Sequence, residues 1–319
     1  MRTLRLVVEF DGANFHGWQM QKDLRTVQGE MTAALQFVLQ HPVHLVAAGR
    51  TDAGCHALAH AASFKTARPL PAGNLLGAVN SLTGADIRVH ALEEAPERFN
   101  ARWSAGWRDY TYLLMRGPSA LLRHRAYHPV VWPQMGPMIE AASLLTGDKN
   151  CIGLSNKSAD NRQPICRILQ AGWGEWSGGL IFRIRANHFL YRMVRTVVGT
   201  CLEIGRGRWG SDRMAELLSG GDRRLAGPPV PADGLYFTGV GYNPLWDVAA
   251  SPPVTPWWGE TRMLEMFTYE PGTPLPSAGR RDTMMFDVEG EGLKEPDLKP
   301  PDLKPPDLKP PDLKQEERS

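Results

Sequence analysis

The order of its strand and helix signals is what most limits how this chain can fold. LRLVVEF (4–10) reads as a strand. TVQGEMTAALQFVLQ (26–40) reads as a helix, with Thr26 placed to cap it and Leu35, Val38 and Leu39 on one apolar stripe. VHLVAAG (43–49) and ALAHAASFKT (57–66) read as strands, PAGNLLGAVNSL (71–82) as a helix opened by Pro71, and ADIRVHALEEA (85–95) as a strand. That order, β-α-β-β-α-β, is a ferredoxin-like unit, the arrangement of RRM-type domains. A second set follows: strands at WRDYTYLLM (107–115), CRILQAGWGEW (166–176), GLIFRIRAN (179–187) and GLYFTGV (234–240), with helices around 136–145 and over HFLYRMVRTVVGTCLEIG (188–205). Strands that follow one another with no helix between them argue against a doubly wound parallel sheet. The expected fold is α+β. Two ferredoxin-like halves, residues 1–104 and 105–245, form an extended mixed, mainly antiparallel sheet with helices on one side and a central basic cleft.

Composition changes after Trp246. The remainder is rich in Pro, Gly, Met and acidic residues and closes on four PDLK units repeating every five residues. A five-residue period matches neither helix nor strand, and proline in each unit removes a backbone donor, so 246–319 is expected to be a disordered extension. Charge divides at the same place. Residues 1–245 hold 27 Lys+Arg against 19 Asp+Glu, while 246–319 hold 9 against 15. The basic part contains only four lysines, Lys22, Lys65, Lys149 and Lys157. Arginine bonds phosphate in a bidentate way and stacks on bases, so the bias suits nucleic acid, although a solvated arginine-rich surface gives the same count. No apolar run is long enough for a membrane span or a leader peptide, and Cys55, Cys151, Cys166 and Cys201 form no C-x-x-C pair. A cytoplasmic, reducing location is expected, with no disulfide framework or zinc knuckle.

The chemistry concentrates in GRTDAGCHALAH (49–60), where Asp52 lies among small residues between two strand signals. A turn aspartate commonly bonds its own backbone. Arg50, two residues away, favours the ionised form, which is what nucleophilic or general-base work requires. In NHFLYRMVRTVVG, Arg192 and Arg195 lie three apart on a helix with little free face, so one of them is expected to point into the cleft. Tyr110 and Tyr112 share a strand face, to pack in the core or to stack on a base. FHGWQ (15–19) loads a loop with rings that either meet RNA or pack the loop onto its own domain. His56 and His60 have the spacing of a zinc-binding helix. Ala57 replaces the general-base glutamate and the segment reads as a strand, so no metal is expected there.

Taken together, FHGWQ, GRTDAGCHA, FNARWSAGWRDYTY, NHFLYRMVRTVVG and PPVPADGLYF stand in the order and at the spacing of the TruA-type tRNA pseudouridine synthases, which residues 3–243 resemble. Cys55 stands where that family usually has valine. The resemblance implies an isomerase, free of cofactor and metal, that converts uridine to pseudouridine at positions 38 to 40 of the tRNA anticodon stem-loop and works as a homodimer. It implies that Asp52 is the essential aspartate, Arg50 the arginine beside the flipped nucleotide, Tyr110 a base-contacting tyrosine and Arg195 the ion-pair partner of Asp52. Phe15, Trp18, Gln19 and Leu235 would be further substrate contacts. Two rival readings are a non-catalytic RNA-binding protein of the same fold and a metal-dependent hydrolase using His56 and His60.

Overall fold

The computed structural model describes residues 1–156, 163–246 and 256–268. The strands are β1 (Arg2–Phe10), β2 (Val46–Ala47), β3 (His56–Thr66), β4 (Ile87–Ala95), β5 (Ala105–Met115), β6 (Gly147–Asn150), β7 (Ile165–Trp176), β8 (Gly179–Ala186), β9 (Leu235–Tyr242) and β10 (Arg262–Thr268). The helices are α1 (Val27–Leu39), α2 (Ala72–Leu82), α3 (Met135–Ser143), α4 (Met193–Gly205) and α5 (Asp212–Leu218). One sheet runs β10-β7-β8-β5-β9-β3-β1-β4, with β2 on β3 and β6 on β7. Every pairing among the described strands is antiparallel except β3 with β9, which meet in parallel at His56↔Tyr236 and Ala57↔Phe237. The expected α+β fold with a mixed, mainly antiparallel sheet is therefore observed.

Alternation along the strands separates two cores. Ala57, Tyr112, Leu114, Phe182, Leu235 and Phe237 face one side, where the buried residues of all five helices join them. Leu58, Leu113, Ile181 and Tyr236 face the other, which is covered by Ala126, Trp176 and Trp258. A period of two sends neighbouring residues to opposite faces; the second face is apolar around this smaller cluster and carries partly exposed charged side chains such as Arg183 and Glu93 elsewhere. The helices thus lie on one side of the sheet.

Four local readings need correction. The strand expected over 43–49 shrinks to Val46–Ala47, because Val43 and Leu45 are buried as loop anchors. The helix expected from His188 begins at Met193, since Arg192 has φ 59°, a left-handed conformation that a helix cannot run through. β6, with the polar sequence GDKN, and the short α5 add a strand and a helix to those expected. Within the segment expected to be without structure, Arg262–Thr268 forms β10 on the edge strand β7. The PDLK units lie outside the described residues.

Candidate active site

Asp52 lies in the loop that enters β3, beside the parallel seam with β9. One oxygen of its carboxylate, Oδ2, accepts a hydrogen bond from Arg195 Nη1 at 2.7 Å. Arg195 is fixed at its other end, where Nε donates to the carbonyl of Val230 at 2.7 Å. The backbone reciprocates, with the Val230 N–H donating to the Arg195 carbonyl at 3.2 Å. The Val230 loop can approach α4 this closely because Gly199 has no side chain, and a Cβ there would lie 1.9 Å from the Pro228 carbonyl oxygen. Thr200 Oγ1 also accepts from the Gly227 N–H at 3.0 Å. A glycine inside an apolar helix costs helix propensity, and here the cost is offset by the position it gives Arg195. Arg192, the residue just before α4, also approaches the carboxylate without bonding to it, its Nε lying 4.0 Å from the same Oδ2.

The aromatic loop supports the catalytic loop from behind. Trp18 N–H donates to the Thr51 carbonyl at 3.2 Å and Gly54 N–H to the Phe15 carbonyl at 3.2 Å. Gly17, at φ 86°, lets the two backbones touch, because a Cβ there would sit 2.6 Å from the Thr51 oxygen. Of the loop's three rings, Phe15 and Trp18 are buried and His16 is exposed. Phe15 packs in the core under the Arg25 guanidinium, and Trp18 stacks on His60 with centroids 4.1 Å apart. Their burial gives about 2 kcal/mol each to holding this loop in place. Leu235 is also buried, at the start of β9, whereas Gln19 and Arg50 are exposed. Of the expected substrate contacts, only those two present their side chains to solvent.

Tyr110 is nearly covered, edge-on to Phe189 and Phe237. Burial, with Cys55 and Asp52 adding to it, pushes its hydroxyl well above the usual phenol range. It stays protonated at neutral pH, so it is unsuited to act as a base. Tyr112 beside it is a core residue whose hydroxyl donates to the Pro231 carbonyl at 2.7 Å. Cys55 is buried and its thiol is pushed up to about 12, chiefly by desolvation, which keeps it unreactive.

Arg108 carried no functional expectation. It donates from Nε to the Ala48 carbonyl at 3.0 Å, from Nη1 to those of Ala105 and Asn187 at 3.1 and 2.7 Å, and from Nη2 to that of Arg102 at 2.5 Å. One guanidinium thereby ties the catalytic loop to the loops before β5 and after β8. Its position in WRDYTY gave no hint, because an arginine at a strand start usually faces water.

The two histidines do not converge. They are four residues apart on a strand, about 13 Å in length, which is too far to share an ion. His60 Nε2 donates to the Gly49 carbonyl at 2.9 Å, and burial pulls the ring down to about 4, so it is neutral. His56 stacks on Tyr236 and pairs with Asp11 at 3.0 Å. Among the described residues no group of three His, Cys, Asp or Glu side chains could hold a metal.

Residues 141–243 match the family model described as tRNA pseudouridine synthase. The chain is 38% identical over 242 residues to tRNA pseudouridine synthase A of Chlorobaculum tepidum, covering 76% of this chain and 98% of that protein. The same-named proteins of Acetivibrio thermocellus and Chloroflexus aurantiacus are 34% and 36% identical, each over 76% of this chain and over 100% and 90% of their own lengths. An arginine-clamped carboxylate on a small-residue loop at the seam of the sheet therefore sits in a chain that belongs to the tRNA pseudouridine synthase A family.

Proposed function

We propose that this protein isomerises uridine to pseudouridine in tRNA, at positions 38 to 40 of the anticodon stem-loop, with Asp52 as the catalytic residue. The observation that carries this reading is the Asp52 carboxylate, aimed by a doubly anchored Arg195 on a loop braced from behind by Gly17. The uracil N1–C1′ bond breaks, the base turns, a C5–C1′ bond forms, the C5 proton leaves to solvent and N1 regains one. Asp52 serves the ribose in this sequence, as nucleophile at C1′ or as base at C2′. Either task needs an oriented carboxylate, which the Arg195 bond supplies.

A paired uridine must leave its stem before C1′ can be reached, at a cost of a few kcal/mol. Arg50, exposed two residues before Asp52, is suited to occupy the vacated stack. Tyr110, kept neutral, offers its ring to the extruded base. Phe15 and Trp18 act indirectly by bracing the loop, and Gln19 offers a polar contact beside it. The two halves, 1–104 and 105–245, meet at this site, and the working form is a cytoplasmic homodimer. No helix among the described residues is long and apolar enough to cross a membrane.

Tritium release from tRNA labelled at uridine C5 tests the reaction, and pseudouridine mapping in tRNA from cells lacking the gene tests the positions. The proposal expects release with purified protein and loss of pseudouridine at positions 38 to 40. Absence of release, or retention of pseudouridine at those positions, would overturn it.

A further inference from the structure

Two guanidinium groups converge on one oxygen of Asp52, but they are held differently. Arg195 is committed, with Nη1 on Asp52 and Nε on the Val230 carbonyl. Arg192 is not. Its Nε lies 4.0 Å from Asp52 Oδ2, beyond hydrogen-bond reach, and is buried without a hydrogen-bond partner among the described residues. Its backbone is left-handed at φ 59°, a conformation that glycine adopts easily and arginine rarely does. The side chain is 38% exposed, and its guanidinium lies 5.0 Å over the ring of Tyr191, which is itself exposed.

A buried donor without an acceptor is uncommon in folded proteins, and such groups and strained backbones gather where a ligand will complete them. The missing acceptor here is anionic by the charge count, since two cations surround one carboxylate. The planar fork of arginine matches the oxygens of a phosphodiester. We infer that Arg192 is an RNA-phosphate ligand, its guanidinium taking the phosphodiester beside the target uridine while Arg195 holds Asp52. This rests on the function proposed above and adds the group that anchors the backbone of the flipped nucleotide.

The test is the dissociation constant of a synthetic anticodon stem-loop RNA, measured across a range of KCl concentrations. Arg192→Met removes the charge. Arg192→Gly removes it and also relieves the left-handed strain, so folding is safeguarded in at least one variant. Loss of one phosphate contact should make the dependence of log Kd on log salt shallower by about 0.7 to 1 in both variants. KM should rise several-fold with kcat within about threefold, and Arg192→Lys should recover the slope. An unchanged slope in both variants would overturn the inference: if kcat falls, Arg192 serves only the Asp52 carboxylate, and if nothing falls it has no role. Tritium release by the unmodified protein on the same RNA keeps the two readings apart. Release with an unchanged slope sinks only the inference, whereas no release sinks both.

Discussion

Asp52 and Asp109 each face two arginines, and their settings differ in what they fix. Asp109 is on β5 directly opposite Arg185 on β8, and its Oδ2 accepts from Arg185 Nε and Nη2 at 3.0 and 2.7 Å. Arg183 lies 3.8 Å away, and Thr238 Oγ1 donates to Oδ1 at 3.3 Å. That side chain is 7% exposed, whereas Asp52, held by Arg195 in a loop, is 21% exposed. A carboxylate in strand register, saturated with donors from two neighbouring strands, holds the sheet together. One presented from a loop whose own shape is set by other residues is available to a substrate. The same residue pair, Asp with Arg, thus serves stability in one place and chemistry in the other.

Removing the two partners should separate these roles. Arg195→Met should lower turnover about 10²-fold, close to ~2.7 kcal/mol in the barrier, because misaimed catalytic groups lose that much. Its melting temperature should change little, since Asp52 can turn to water. Arg185→Met should do the opposite. Leaving Asp109 buried with only the more distant Arg183 should cost about 3 kcal/mol, or roughly 10 °C in melting temperature, with turnover within a few-fold. Thermal unfolding and tritium release on both variants check the contrast, and equal effects on both readouts would dissolve it.

A smaller effect concerns how the catalytic loop is held. His60 donates to Gly49 and stays neutral because burial pulls it from 6.5 to about 4. Its contribution is fully present above pH 6.5. As pH falls toward 4 the unfolded chain takes up a proton that the native ring refuses, so stability declines by about 2 kcal/mol between pH 6.5 and 5. Chemical denaturation across that range should show the slope, and His60→Gln, which keeps an N–H for Gly49, should flatten it. An unchanged slope in that variant would mean that another group carries the dependence. The smallest effect is expected from deleting Gly290–Ser319, whose Pro-punctuated repeat cannot extend a core. Melting temperature and turnover should both stay where they are, and a drop in either would mean that the segment docks.

Much of this was legible in the sequence because the signals were local. The β-α-β-β-α-β order follows from short-range periodicity, and the Thr26 cap, which accepts from the Gly29 N–H at 3.2 Å, is chemistry within one turn. The Asp52–Arg195 pair could be inferred from the family resemblance but not from spacing, since 143 residues separate the partners. What stayed hidden was tertiary. A tryptophan in a loop looks the same whether it waits for a base or stacks on His60, and only the fold puts His60 behind it. Arg192 reads as an interior helical residue until its φ is known, and Arg108 as a surface arginine until three loops are seen to converge on it. Gly199 offered a signal that could have been used, because a glycine within VVGT of an apolar helix asks what backbone lies against it.

The central claim is that Asp52 does the chemistry while its neighbours set its position. Asn keeps the shape of the side chain but neither its charge nor its nucleophilicity, so tritium release from C5-labelled tRNA by Asp52→Asn tests that claim most directly. The account predicts turnover below about a hundredth of wild type, with stem-loop affinity within a few-fold. Turnover above that level, in a folded variant that still binds the RNA, would contradict it.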